Sequence, residues 1–257
     1  MVKVAVAGGL GNVGKTIVEV LKDDPKHDVI VLSRKASDNA AAPVVAVDYN
    51  NVDSLKQVLE SNNIEAVISA LMVGDEVASQ SQINLIKAAD KSSTTKKMVL
   101  SEWGIPFTAE DVSPLPHLAF RLAAIAEARK TGLQWTRFQT GYFMDYYGLP
   151  HIKSYQQMYM PVLDMVNKVA AIPGSKFEVH HDDLDKLKSF QVTELPHHPG
   201  VYPFFPKEML QRFFSVFGLY MATGRFDLPI EKALNQKFPE IKPITAKELL
   251  EQAWRGK

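Results

Sequence analysis

The chain has 257 residues, 46% of them hydrophobic, with 29 basic and 29 acidic side chains, a formal net charge of zero and no cysteine. That length holds one large or two modest domains with ample core. The composition excludes a disordered chain, the balanced charge leaves no electrostatic footprint for nucleic acid, and the missing thiols exclude disulfides, thiolate nucleophiles and cysteine metal sites.

The first predicted element is a strand over Lys3–Ala7. It begins so close to Met1 that no signal or transit peptide is expected, and a cytoplasmic location is the expectation. Glycines follow at Gly8, Gly11 and Gly14, a G-x-x-G-x-x-G spacing, and a helix is predicted at once over Val13–Lys22. This order of parts suits a dinucleotide site. Gly8 permits the tight turn out of the strand, Gly11 lets the backbone approach a pyrophosphate, and Gly14 lets the helix pack close to the sheet. Asn12 and Val13 then lie where the open amides and dipole of a helix N-terminus face phosphate. The bland alternative is a glycine-rich turn with no ligand.

A second strand is predicted over Asp28–Leu32, ending in Ser33-Arg34-Lys35. NAD sites usually carry an acid there for the ribose 2′-hydroxyl. Arg34 and Lys35 suit a 2′-phosphate instead, Arg34 through its planar fork and Lys35 as a point charge, so NADP(H) is expected rather than NAD. A solvated basic turn is the alternative.

Further strands are predicted over Val44–Val47, Ala66–Ala70, Met98–Ser101 and Trp135–Phe138, and helices over Val52–Glu60, Glu76–Ala89 and Leu118–Lys130. Such alternation implies an α/β fold of Rossmann type, a doubly wound parallel sheet with helices on both faces. Ligands in such folds bind beyond the carboxyl ends of the strands. Those ends add Asp48, Ala70, Leu71, Glu102, Trp103 and Gly104 to the candidate cofactor site.

Beyond Gln139 prolines become frequent, aromatics cluster and the alternation stops. The expected organisation is a dinucleotide-binding domain over residues 1–141 and a smaller, mostly helical and loop-rich pocket lobe over 142–257. The apolar run Phe213–Ala222 is too short to span a bilayer and reads as a core or pocket helix. The tail predicts a short amphipathic helix over Ala246–Trp254 with Thr245 as its N-cap. His180-His181-Asp182-Asp183 and His197-His198 lack the spacing of a metal site, and no metal is expected.

Several stretches resemble the NmrA-like and isoflavone-reductase-like proteins, an atypical branch of the short-chain dehydrogenases. They are Gly8-Gly9-Leu10-Gly11-Asn12-Val13-Gly14, Arg34 after the second strand, Ser101-Glu102-Trp103-Gly104 after the fifth, and Gly132-Leu133-Gln134-Trp135-Thr136 leading to Gly141-Tyr142-Phe143-Met144-Asp145-Tyr146. The resemblance covers nearly the whole chain, and its C-terminal part is similar to fungal members. It implies NADPH binding and reduction of small aromatic or conjugated carbonyl metabolites. Some relatives instead bind dinucleotide and act as regulators without reducing anything.

Two departures stand out. Where catalytic members carry a lysine, this chain has Arg121, which stays protonated and serves only to bind or stabilise an anion. No Tyr-x-x-x-Lys replaces it, since His151 follows Tyr147 at that spacing and Tyr159 follows Tyr155. The second lobe is also shortened near 174–176, where family members carry further strand and helix. His117, one helical turn before Arg121, and Tyr142, in an aromatic cluster, are the remaining candidates for proton donor. Each has a plain structural alternative, a solvent-facing helix start for His117 and core packing for Tyr142. Two readings follow. One is a reductase acting on a small-molecule substrate, with no membrane or direct nucleic-acid partner. The other is a dinucleotide-binding sensor with a protein partner.

Overall fold

The computed structural model describes residues 1–38, 40–157 and 178–255, together with the two short strands Leu163–Asp164 and Val169–Ala170. The chain divides into two compact units, Met1–Thr140 and Gly141–Lys257. The shortened stretch near 174–176 and Tyr159 lie outside the described residues.

The first unit is built on strands β1 (Val2–Ala7), β2 (His27–Ser33), β3 (Val44–Ala46), β4 (Ala66–Ser69), β5 (Lys97–Leu100) and β6 (Gln134–Arg137). All neighbours are parallel, in the order β3-β2-β1-β4-β5-β6. Helices α1 (Asn12–Asp23), α2 (Val52–Ser61), α3 (Glu76–Lys91) and α4 (Leu118–Ala128) connect them. This is the doubly wound Rossmann-type sheet that the alternation predicts, and each of these elements falls within two residues of its expected bounds. The winding reverses between β1 and β4, the switch point beside which ligands bind in such sheets.

The inner strands carry apolar, largely buried runs, Val4–Ala7 of β1 and Val29–Leu32 of β2 among them, because helices cover both faces there. Val4, Val6, Val29 and Val31 pack with Val18 of α1, and Ile17 and Leu21 close that layer. Ala5, Ala7 and Leu32 face the opposite side, with Leu55 and Leu59 of α2, Leu85 and Ile86 of α3, and Ile125 of α4. Helix starts are fixed locally. Asn51 accepts from the Ser54 amide to cap α2, and Asp75 accepts from the Ala78 amide to cap α3.

The second unit contains α5 (Asp145–Gly148), α6 (Leu184–Lys188), α7 (Lys207–Ala222), α8 (Leu234–Lys237) and α9 (Ala246–Trp254). It also contains a small sheet that periodicity did not anticipate, β7 (Leu163–Asp164), β8 (Val169–Ala170) and β9 (Glu178–Val179), in that order. Two-residue strands are too short to show an alternating pattern. α7 contains the predicted apolar run Phe213–Ala222, and Phe214 and Val216 are buried on it. Gly218 lets α7 pack on α6, since a Cβ there would meet Leu187 at 3.1 Å. Thr245 caps α9 in a capping box with Glu248, as the sequence predicts. The Trp254 Nε1 of α9 donates to the Tyr147 carbonyl at 2.7 Å, which ties α9 to α5. Among the described residues no helix is long and apolar enough to cross a membrane.

Candidate functional site

The turn from β1 into α1 is shaped by its glycines. Gly8 has φ +78°, and a Cβ on it would meet the Ala70 carbonyl oxygen at 2.6 Å. The loop after β1 and the one after β4 are therefore in backbone contact at the switch point. Gly14 is tighter still, with a Cβ falling 2.1 Å from the Gly8 carbonyl oxygen. Only a glycine lets α1 sit this close to the strand it leaves. Gly11 is different. Its Cβ would meet only the Gly8 oxygen, at 3.3 Å. Gly11 is also the N-cap of α1 and has no side chain to cap it, so the first amides of the helix are left open. The cradle that a Cβ would fill is therefore present and fits a pyrophosphate.

Gly9 was missed by the spacing argument. A Cβ on it would lie 2.8 Å from Val31 Cγ2 and 3.1 Å from Val18 Cγ2, so it lets the turn pack on the core. No motif signals this, because the neighbours come from β2 and α1.

Around the switch point the other candidates stand at the carboxyl edge of the sheet. Arg34 and Lys35 follow β2 directly and are exposed. Asp48 follows β3, is exposed and accepts from the Asn50 amide at 2.9 Å. Next to it, Tyr49 is buried and its hydroxyl donates to the Leu32 carbonyl. Burial pushes the Tyr49 pKa up, and the Arg34 charge pulls it partly back.

The ends of β4 and β5 are locked together by side chains, of which the sequence pointed to Ser101 and Trp103 but not to the Ser69–Gln82 pair. Ser69 and Gln82 are both buried and share a hydrogen bond of 2.5 Å. Ser101 Oγ donates to the Leu71 carbonyl at 2.7 Å, and Trp103 Nε1 donates to the Ser69 carbonyl at 2.9 Å. Trp103 also stacks on Phe138, with centroids 5.7 Å apart. These bonds hold Ala70, Leu71 and Glu102–Gly104 in fixed relation to one another.

Glu102 is 4% exposed, and Arg121 Nη1 lies 3.7 Å from its Oε1. Burial raises the Glu102 pKa above its usual value, against the opposing charges of Arg121 and Arg137. The Arg121 guanidinium also sits 6.0 Å from the Phe107 ring. His117 is half-buried at the N-cap of α4, and burial and the Arg121 charge hold its pKa down. The Arg121 charge therefore acts on both His117 and Glu102.

Tyr142 belongs to the second unit. Its ring lies 5.2 Å from Tyr146 and 5.8 Å from Tyr147, and its buried hydroxyl has no hydrogen-bond partner among the described residues. Burial, then the two neighbouring tyrosines, raise its pKa. Among the described residues no group of three or more His, Asp or Glu side chains is placed to hold a metal.

A family model described as NAD(P)H-binding matches residues 8–156. "Oxidoreductase swnN" of Metarhizium robertsii is 29% identical over 338 aligned positions, covering 99% of this chain and 98% of that protein. Those positions outnumber the 257 residues here, so the relative has stretches inside the alignment that face no residue of this chain. "Oxidoreductase BOA1" of Botryotinia fuckeliana is 36% identical over 179 residues, 68% of this chain. The chain spans only 60% of that relative's length. Among solved structures, the binary complex of leucoanthocyanidin reductase with NADPH from Vitis vinifera matches with a TM-score of 0.47, at 19% identity over 56% of this chain and 50% of that one. With the model spanning more than half of its residues, the chain belongs to the NAD(P)H-binding oxidoreductases.

Proposed function

We propose that this chain is an NADPH-dependent reductase of small aromatic or conjugated carbonyl compounds. The observation that carries the reading is the turn Gly8–Gly14, whose backbone leaves room above Gly11 and open amides at the start of α1. In this reading those amides hold the pyrophosphate, with Asn12 and Val13 in the first turn. Arg34 and Lys35 take the 2′-phosphate. Asp48, Ala70 and Leu71 flank the adenosine half, and Glu102, Trp103 and Gly104 border the nicotinamide. A reduced nicotinamide bound there supplies hydride. Arg121 offers a fixed positive charge to the acceptor oxygen as negative charge develops on it.

The test is a pair of binding titrations with NADPH and NADH, followed by NADPH oxidation with a panel of carbonyl acceptors. Tighter binding of NADPH, weakened selectively by Arg34→Ala, supports the reading, and equal affinities overturn the cofactor assignment. NADPH binding with no oxidation by any acceptor would make the protein a dinucleotide sensor, and the search would turn to a protein partner whose binding depends on NADPH.

A further inference from the structure

The reductase reading leaves a proton unaccounted for. Hydride addition to a carbonyl carbon leaves an oxyanion, and the group in the place of the family lysine is Arg121, which does not give up a proton at any working pH. His117 shares its helix, but burial and the Arg121 charge both favour its neutral form. The Tyr142 phenol is made a weaker acid by its surroundings. One further titratable group adjoins Arg121. Glu102 stands directly after β5, at the carboxyl edge of the sheet, with 4% of its surface exposed. Its Oε1 lies 3.7 Å from Arg121 Nη1, and among the described residues no hydrogen bond joins the two side chains. The guanidinium donors are thus not taken up by the carboxylate. The charged groups facing Glu102 are Arg121 of α4 and Arg137 of β6.

Resting on that reading, we propose that Glu102 is the proton donor, its carboxyl protonating the acceptor oxygen that Arg121 holds. The acceptor carbon gains a hydride from the reduced nicotinamide, which is thereby oxidised, and the C=O π pair moves onto oxygen. That oxygen forms its new O–H bond with the Glu102 proton. The carboxyl O–H bond breaks, leaving a carboxylate beside Arg121, and solvent restores the proton. The neighbouring arginine stabilises the carboxylate that each turnover leaves. Burial keeps the proton on Glu102 beyond the range of an ordinary glutamate, which is what a general acid requires.

The experiment has two arms. Infrared difference spectra of the parent against Glu102→Gln, taken across pH, should show a protonated-carboxyl band that persists above the usual glutamate range and is absent from the variant. Arg121→Met should move that titration higher still, because a charge that opposes protonation is removed. In the second arm NADPH oxidation is followed with benzaldehyde and cinnamaldehyde. The parent rate should fall as pH climbs through the same titration. Glu102→Gln should lose about tenfold or more in turnover at saturating NADPH and show no such fall. Glu102→Asp should recover part of the rate. A carboxyl that titrates as an ordinary glutamate, or Glu102→Gln turning over at the parent rate, overturns the proposal. A parent that binds NADPH and oxidises it with neither aldehyde overturns the reductase reading, and the role of Glu102 falls with it. A raised carboxyl titration in that case locates the failure in the reading and not in the pairing.

Discussion

Gly14 and Gly11 occupy the same turn and should fail in opposite ways when a methyl group is added. At Gly14 the new Cβ would lie 2.1 Å from the Gly8 carbonyl oxygen, 2.7 Å from Gly9 Cα and 2.8 Å from Gly8 C. All three are backbone atoms with no rotamer to change. Relief requires α1 to move away from β1 by roughly 1 Å or more. The Gly8 carbonyl also accepts the Gly11 amide at 2.9 Å, so that shift strains the hydrogen bond closing the turn. Overpacking of this kind costs about 1–3 kcal/mol and the weakened bond about 1 more, while alanine regains about 1 through helix propensity. The net loss for Gly14→Ala is therefore about 2 kcal/mol, a drop in Tm of about 4–8 °C for a chain of this size. At Gly11 the Cβ would meet one atom, at 3.3 Å, so Gly11→Ala should lose only the N-cap preference, about 0.5–1 kcal/mol. Its methyl group would project into the space assigned to the pyrophosphate, and Gly11→Val would fill that space further. Thermal unfolding by circular dichroism and NADPH titration by fluorescence separate the two effects. An unchanged Tm in Gly14→Ala would refute the packing argument, and a well-folded Gly11→Val that binds NADPH like the parent would show that the motif is only a turn.

Arg34→Ala should weaken NADPH by about 1.5–3 kcal/mol and leave NADH nearly unchanged, as read by parallel calorimetric titrations. Arg121→Ala should cut turnover with little change in NADPH affinity, and Arg121→Lys should preserve or raise it, since a lysine both binds an anion and passes a proton; steady-state kinetics of the two variants decide. Because its pKa is raised in the folded state, Glu102 should make the protein less stable as pH rises from the unfolded glutamate value, about 4.3, through the folded one, and urea unfolding of Glu102→Gln should lack that decline. Asp182 behaves in the opposite sense. Burial pushes its pKa up, but hydrogen bonds from Lys186 and Thr193 and the Lys186 charge outweigh it and hold the group below its usual value. Its stabilisation is full above the unfolded value, about 3.9, and is lost as pH falls through the folded one, so Asp182→Asn should flatten the acid limb of the stability curve.

Short-range chemistry is written directly into the chain. The inner strands of the first unit are legible because their apolar runs are largely buried and stop at glycine or polar residues, Gly8 after β1 and Ser33 at the end of β2. The helices are legible because Thr245 sits three residues before Glu248 and an apolar period follows, and because apolar positions such as Ile17, Val18 and Leu21 recur at helical spacing. The glycine turn belongs to the same class, since its parts lie within eleven consecutive residues, Val4–Gly14. Tertiary structure alone decided the contacts between distant segments. Gly9 is required by Val31, Trp103 is tied to Ser69, and Glu102 faces Arg121 across the first turn of α4. Which strand end meets which helix face depends on the order in which the sheet is wound, and that order places β1 beside β4 although 58 residues separate Ala7 from Ala66. The proton-holding character of Glu102 arises the same way. A glutamate in a Ser-Glu-Trp-Gly stretch carries no sign of burial, and the upward shift appears only when the fold removes its water, by enough to outweigh the two arginines set beside it.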